Sequence, residues 1–116
     1  NFKQIFSPQT AYQITSILEG ATKRGTAKKL RDLNLDIAGK TGTTNKNTDT
    51  WFIGFTSDLV VGVYIGYDEP QTLGKFETGA KTAMPIFKSF DIPPYFIVFK
   101  TIYIIKTSKL YLCHTM

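Results

Sequence analysis

The chain has 116 residues (13.0 kDa), 42% hydrophobic and 20% charged, which is room for one ordinary globular domain and not the composition of a disordered tail. Basic residues outnumber acidic ones 14 to 9, with a pI near 9.4; this suits an anionic partner, but beyond Lys23, Arg24, Lys28, Lys29 and Arg31 the charges are scattered, so no nucleic-acid partner is expected. One cysteine, Cys113, and one histidine, His114, exclude a disulfide framework and an ordinary zinc site, and no signal peptide or bilayer-length apolar run occurs.

Residues 1–90 read as well-punctuated globular sequence, whereas from Asp91 onward Phe, Ile, Tyr and Lys crowd together. The start at Asn1 rather than Met leads us to expect a piece of a longer protein. In chain order, Ser7 as N-cap and Pro8 at the first helical position predict a helix. Its apolar face is Ala11, Ile14, Leu18 and Ala21, with Gly20 and Gly25 weakening and ending it. A solvated basic loop, residues 22–36, follows. Ile37–Thr44 is a strand of small and β-branched residues. Asn45–Thr48 is turn material, Trp51–Phe55 a second strand and Thr56-Ser57-Asp58 a tight connection. Leu59–Tyr67 is a third strand, with Leu59, Val61, Val63, Ile65 and Tyr67 on one face and Val60, Gly62, Tyr64 and Gly66 on the other. Neither face is charged, so both are expected to be covered, the two glycines admitting a helix onto the second. Connections this short predict an antiparallel meander. A closing helix is predicted over 78–90, with Ala80, Ala83, Met84, Phe87 and Phe90 as its stripe and Pro85 kinking it or marking a late start. The sum is part of an α/β sandwich.

The run Gly39-Lys40-Thr41-Gly42-Thr43-Thr44 carries the chemistry. A phosphate-binding loop needs a glycine five positions before Gly39, where Asn34 stands, and a helix directly after the threonine, where a turn and a strand are predicted. A bare Lys-Thr-Gly also recurs by chance on strands of small residues. The third reading is the Lys-Thr-Gly strand of penicillin-recognising serine enzymes. There Lys40 supplies an ammonium near the nucleophile and the substrate carboxylate, and the hydroxyls of Thr41 and Thr43 donate to that carboxylate. Gly42 lets substrate backbone lie alongside as an added strand, and the Thr43 N–H serves an oxyanion hole.

The neighbouring motifs favour the third reading. Ser7-Pro-Gln-Thr-Ala-Tyr, Arg24-Gly-Thr-Ala, Ala38-Gly-Lys-Thr-Gly-Thr-Thr-Asn, Trp51-Phe-Ile-Gly-Phe-Thr, Leu59-Val-Val-Gly-Val-Tyr-Ile-Gly-Tyr-Asp, Thr78-Gly and Ala83-Met-Pro-Ile-Phe occur in order. Together they closely resemble the C-terminal part of the transpeptidase domain of bacterial class A penicillin-binding proteins, of the 1A type. The resemblance covers residues 1–90. It implies a penicillin-binding, β-lactamase-like fold, with an antiparallel sheet and flanking helices. It implies a serine D,D-transpeptidase that cross-links peptidoglycan stem peptides ending in D-Ala-D-Ala through an acyl-enzyme and is acylated by β-lactams. Its parent works at the periplasmic face of the inner membrane, without a cofactor, and the missing N-terminal part of the same domain is a partner of this stretch, which itself makes no membrane contact. The site residues implied are Lys40, Thr41, Gly42 and Thr43, with Lys40 in an electrostatic catalytic role.

The sequence departs from that pattern in two main ways. None of Ser7, Ser16, Ser57, Ser89 and Ser108 begins Ser-x-x-Lys, and no Ser-x-Asn occurs, so the nucleophile and second motif are absent and no reaction of the chain alone with penicillin is expected. The second departure is the tail, 91–116. One reading of Tyr95–Ile105 is a strand completing a sheet edge; the other, which we prefer, is out-of-frame translation of AT-rich DNA, which would make the tail an aggregation hazard. Smaller departures are Ala80, where a second glycine is common, and Thr50, where alanine is usual. Without its covering helices the chain is expected to be partly molten or aggregating, and a non-enzymatic remnant or small interaction module is the competing function. Asn45, Asn47 and Asp49 alternate like the start of a calcium loop, but Thr50 and Thr56 stand where that loop needs Gly and Glu, so a hairpin turn is expected. Trp51, Phe52 and Phe55 are read as core rather than a base-stacking platform. Cys113 and His114 carry no catalytic weight.

Overall fold

A computed structural model describes residues 4–57 and 59–89, together with the backbone of two further strands, Thr101–Lys106 and Lys109–Leu110. Helix α1, Pro8–Lys23, starts as the sequence predicts: the Thr10 N–H donates to Ser7 Oγ at 3.2 Å and Pro8 occupies the first turn. Gly20 lies inside the helix rather than at its end. The predicted apolar face is only half used. Leu18 and Ala21 are half-buried, whereas Ala11 is exposed and Ile14 is 43% exposed. Burial begins at the C-terminal end of α1, where Thr22 Oγ1 donates to Ile37 O.

The expected basic loop contains a 3-10 turn, Lys28–Leu33. Ala27, Leu30 and Leu33 recur every three residues, the 3-10 period; Ala27 and Leu30 enter the core and Leu33 packs against it, while the lysines face water. Strands β1 (Ala38–Thr43), β2 (Asp49–Phe55) and β3 (Val60–Gly66) form the predicted antiparallel meander. The β1–β2 connection is a short 3-10 turn in which Lys46 and Asn47 take positive φ, 65° and 54°. Strand β4 (Thr101–Lys106) runs parallel to β3, and β5 (Lys109–Leu110) pairs antiparallel with β4. The sheet order is β1-β2-β3-β4-β5, which leaves β1 at an open edge among the described residues. The tail thus contributes a strand on the β3 side. Tyr95 to Lys100, Cys113 and His114 lie outside the described residues.

Helix α2 spans Ala83–Ser89. It takes the late start that Pro85 predicts, with proline tolerated in the first turn; residues 78–82 form turns ahead of it and Phe90 lies outside the described residues. Ala83, Met84 and Phe87 pack on Phe52, Val61, Val63 and Ile65, with Phe52 and Phe87 edge to face at 4.7 Å. The helix that the β3 glycines were expected to admit is not found on their face among the described residues; α2 covers the Val61/Val63 face instead. On the glycine face, a Cβ at Gly62 would meet only Ile53 Cγ1, at 3.8 Å, and Ile53 and Val60 remain 48% and 49% exposed. Gly66 makes room for a hydrogen bond instead of a helix, since a Cβ there would overlap the Tyr64 hydroxyl and Asp49 Oδ1.

Candidate functional site

Strand β1 carries all four predicted site residues, and the β1–β2 register determines where they point. Lys40 shares a face with Ile53 and Gly62, and Gly42 with Trp51 and Tyr64. Thr41 and Thr43 lie on the opposite face, in line with Phe52 and Thr50. The site is therefore built across an edge: lysine on one side of the strand, two hydroxyls on the other, main chain between them. The Thr44 N–H donates to Asp49 O at 3.0 Å. Alternation along an antiparallel pair then turns the main-chain groups of Gly42 and Lys40 toward β2 and those of Thr43 and Thr41 toward the open edge. Thr41 O on that side accepts from Lys40 Nζ at 2.9 Å, so the ammonium lies along the edge.

The hydroxyls have partners too. Thr41 Oγ1 lies 3.1 Å from Thr26 Oγ1, which joins the Arg24-Gly25-Thr26-Ala27 motif to the strand. Thr43 Oγ1 accepts from the Gly79 N–H at 3.1 Å. Both Gly79 and Thr26 escape reading from the sequence, because their roles depend on approaches 36 and 15 residues apart; the surrounding Thr78-Gly and Arg24-Gly-Thr-Ala motifs were the available signal.

Asp49 anchors the hairpin. Its carboxylate accepts from the Tyr64 hydroxyl at 2.7 Å and from Thr48 Oγ1 at 3.0 Å, with Thr44 Oγ1 at 3.4 Å. The Tyr64 hydrogen bond, followed by those of Thr48 and Thr44, holds the Asp49 carboxyl below its usual value, and the same bond raises the Tyr64 hydroxyl. Asn47 Nδ2 donates to Gly74 O and Asn47 O accepts from the Leu73 N–H, so Asn47 ties the expected turn to residues 73–74 while Asp49 holds the start of β2. Trp51 packs at a tilt against Tyr64, ring centroids 4.7 Å apart, and is 38% exposed, which corrects its reading as core; Phe52 faces the core, because alternation splits the aromatic run between two faces.

Comparison with known proteins gives this strand its setting. Residues 2–90 match the penicillin binding protein transpeptidase domain. The chain belongs to this family. Penicillin-binding protein 1A of Rickettsia bellii is 50% identical over 100 residues, covering 81% of this chain and 13% of that protein. Its counterpart from Rickettsia typhi is 57% identical over 79 residues, 68% of this chain and 10% of that protein. The one from Pseudomonas aeruginosa is 46% identical over 86 residues, 73% of this chain and 10% of that protein. The chain thus spans about a tenth of the length of the relatives it matches. The transpeptidase-domain match takes in Lys40–Thr43, Thr26, the Asp49 hairpin and Gly79, and it stops before β4.

Proposed function

We propose that this chain forms the substrate-carboxylate side of a peptidoglycan D,D-transpeptidase site in the bacterial cell envelope, on its periplasmic side. The observation that carries the reading is the open edge of β1, with the Lys40 ammonium along it and the main-chain groups of Thr41 and Thr43 facing outward. An extended peptide ending in D-Ala-D-Ala adds to such an edge as a further strand. Its terminal carboxylate pairs with Lys40 and accepts from the hydroxyls of Thr41 and Thr43. Gly42 keeps the approach clear, and the Thr43 N–H stabilises the oxyanion formed when a serine attacks the scissile carbonyl.

These 116 residues hold no Ser-x-x-Lys and no Ser-x-Asn, so the nucleophile and its base come from outside them. The chain alone binds stem peptide without acylation. The same absence favours the competing reading, a non-enzymatic remnant. Two measurements test the reading, and the second separates it from the remnant. A fluorescent penicillin leaves no covalent label on the chain; a label that unlabelled penicillin blocks would overturn the assignment of the nucleophile. A D-Ala-D-Ala peptide shifts the amide resonances of residues 39–44, and Lys40→Ala weakens that binding about tenfold, as loss of a charge-assisted hydrogen bond does. No shift on titration leaves the remnant reading in place.

A further inference from the structure

The Thr78–Gly79 peptide unit is held at both ends. Its carbonyl, Thr78 O, accepts from the Lys81 N–H at 2.8 Å, the Thr82 N–H at 3.0 Å and Thr82 Oγ1 at 2.9 Å. Thr82 has a single hydroxyl proton, and it goes to Thr78 O. The 2.7 Å contact between Thr50 Oγ1 and Thr82 Oγ1 is therefore donated by Thr50, whose side chain is fully buried. At the other end of the unit, the Gly79 N–H donates to Thr43 Oγ1 at 3.1 Å. Only glycine fits there: a Cβ would lie 2.7 Å from Gly42 O and 3.2 Å from Gly42 N, and would overlap Trp51 O. The unit thus seats directly on the backbone of the Gly42–Trp51 pair, beside Thr43.

We propose that Gly79 is a positioning residue for Thr43. The relay Thr50, Thr82, Thr78–Gly79 delivers an N–H to the Thr43 oxygen, so the one hydroxyl proton of this exposed threonine is left for an acceptor on the solvent side. A hydroxyl that accepts from Gly79 keeps its proton for an acceptor on the solvent side, a place that either oxygen of a carboxylate fills but only one atom of an amide can. The inference rests on the reading of β1 as the carboxylate-binding strand and names what sets its hydrogen-bond polarity. It requires preference for a peptide ending in a free D-Ala carboxylate over the same peptide ending in an amide.

The test has two arms on the full chain. In the first, hydrogen exchange of the Gly79 amide is followed by NMR. Thr43→Val and Thr82→Val speed exchange about fivefold, the scale of one net hydrogen bond, while Thr43→Ser and Thr82→Ser leave it unchanged. Thr43 is exposed, so its variants keep the fold even if Thr82→Val does not. Unchanged Gly79 exchange in Thr43→Val overturns the proposal. In the second arm, affinities for the peptide acid and the peptide amide are compared. Thr82→Val lowers the acid-over-amide ratio about fivefold and Thr82→Ser restores it, whereas general damage to the strand would weaken both peptides alike and overturn the positioning role. An unsubstituted chain that binds neither peptide, or binds both equally, removes the carboxylate-strand reading and the positioning role with it; one that prefers the acid and keeps that preference in Thr82→Val leaves the strand reading and removes the positioning role alone.

Discussion

Gly54→Ala is the sharpest single probe of the packing behind the site. Gly54 lies in β2, paired with Gly39 and Val61 on the covered face of the sheet. A Cβ there would sit 2.7 Å from Phe87 Cζ, 2.9 Å from Phe87 Cε2 and 2.8 Å from Phe52 Cε1. Carbon atoms in contact prefer about 3.5–4.0 Å, so the new methyl overlaps both rings by roughly 0.8 Å. Neither ring can step aside at low cost, since Phe52 is 0% and Phe87 1% exposed and they hold each other edge to face. Overpacking of this kind costs about 1–3 kcal/mol, or a fall in Tm of roughly 5–20 °C for a domain this size. Phe87→Leu removes the ring atoms nearest the methyl, so the double variant should recover at least about 1 kcal/mol relative to the sum of the singles. Thermal and urea unfolding followed by far-UV circular dichroism provides the four values needed. A Gly54→Ala chain as stable as the parent, or strictly additive singles, would refute the reasoning. The measurement also bears on the expectation of a partly molten chain, because without fixed side-chain packing the extra methyl would cost nothing.

Asp49 gives a pH prediction with a definite sign. Its carboxyl is lowered by Tyr64, Thr48 and Thr44, so its contribution is present above the ordinary carboxylate value near 4 and is lost as pH falls from there through the depressed folded value. Asp49→Asn should flatten that part of the stability profile in unfolding titrations, and an unchanged acid limb would count against the network. Phe76 sits 66% exposed at φ 69°, with Lys75 Nζ 5.2 Å above its ring. Relief of left-handed strain, about 1 kcal/mol, exceeds the extra backbone entropy of glycine, about 0.5 kcal/mol, so Phe76→Gly should raise stability slightly in the same unfolding assay; a loss would show that the exposed ring contributes packing after all.

What was legible in the sequence follows the range of the interactions. The start of α1 is local chemistry between Ser7, Pro8 and the Thr10 amide, and it is found where Ser7-Pro8 indicates. The three strands follow from alternation and short connections, which admit only antiparallel pairing. The 3-10 turn at Leu30 was hidden because Ala27, Leu30 and Leu33, set among charged residues, look like a loop unless read at a period of three. The glycines of β3 misled for a similar reason. A missing side chain states that something comes close, not what: at Gly66 it is the Tyr64–Asp49 bond, and at Gly62 no described helix comes at all. The site divides in the same way. Lys40 to Thr43 could be recognised because one strand carries them in sequence, whereas the hydrogen-bond polarity of Thr43 is fixed from 36 residues away. Residue types at short spacing thus bring the Lys-Thr-Gly strand into view, whereas the Gly79 N–H on Thr43 Oγ1 arrives by a long-range approach that no local pattern carries. On the proposed reading, the Lys-Thr-Gly strand is complete as a motif and still relies on a glycine outside it, because only a residue without a Cβ brings that N–H against the Gly42–Trp51 backbone.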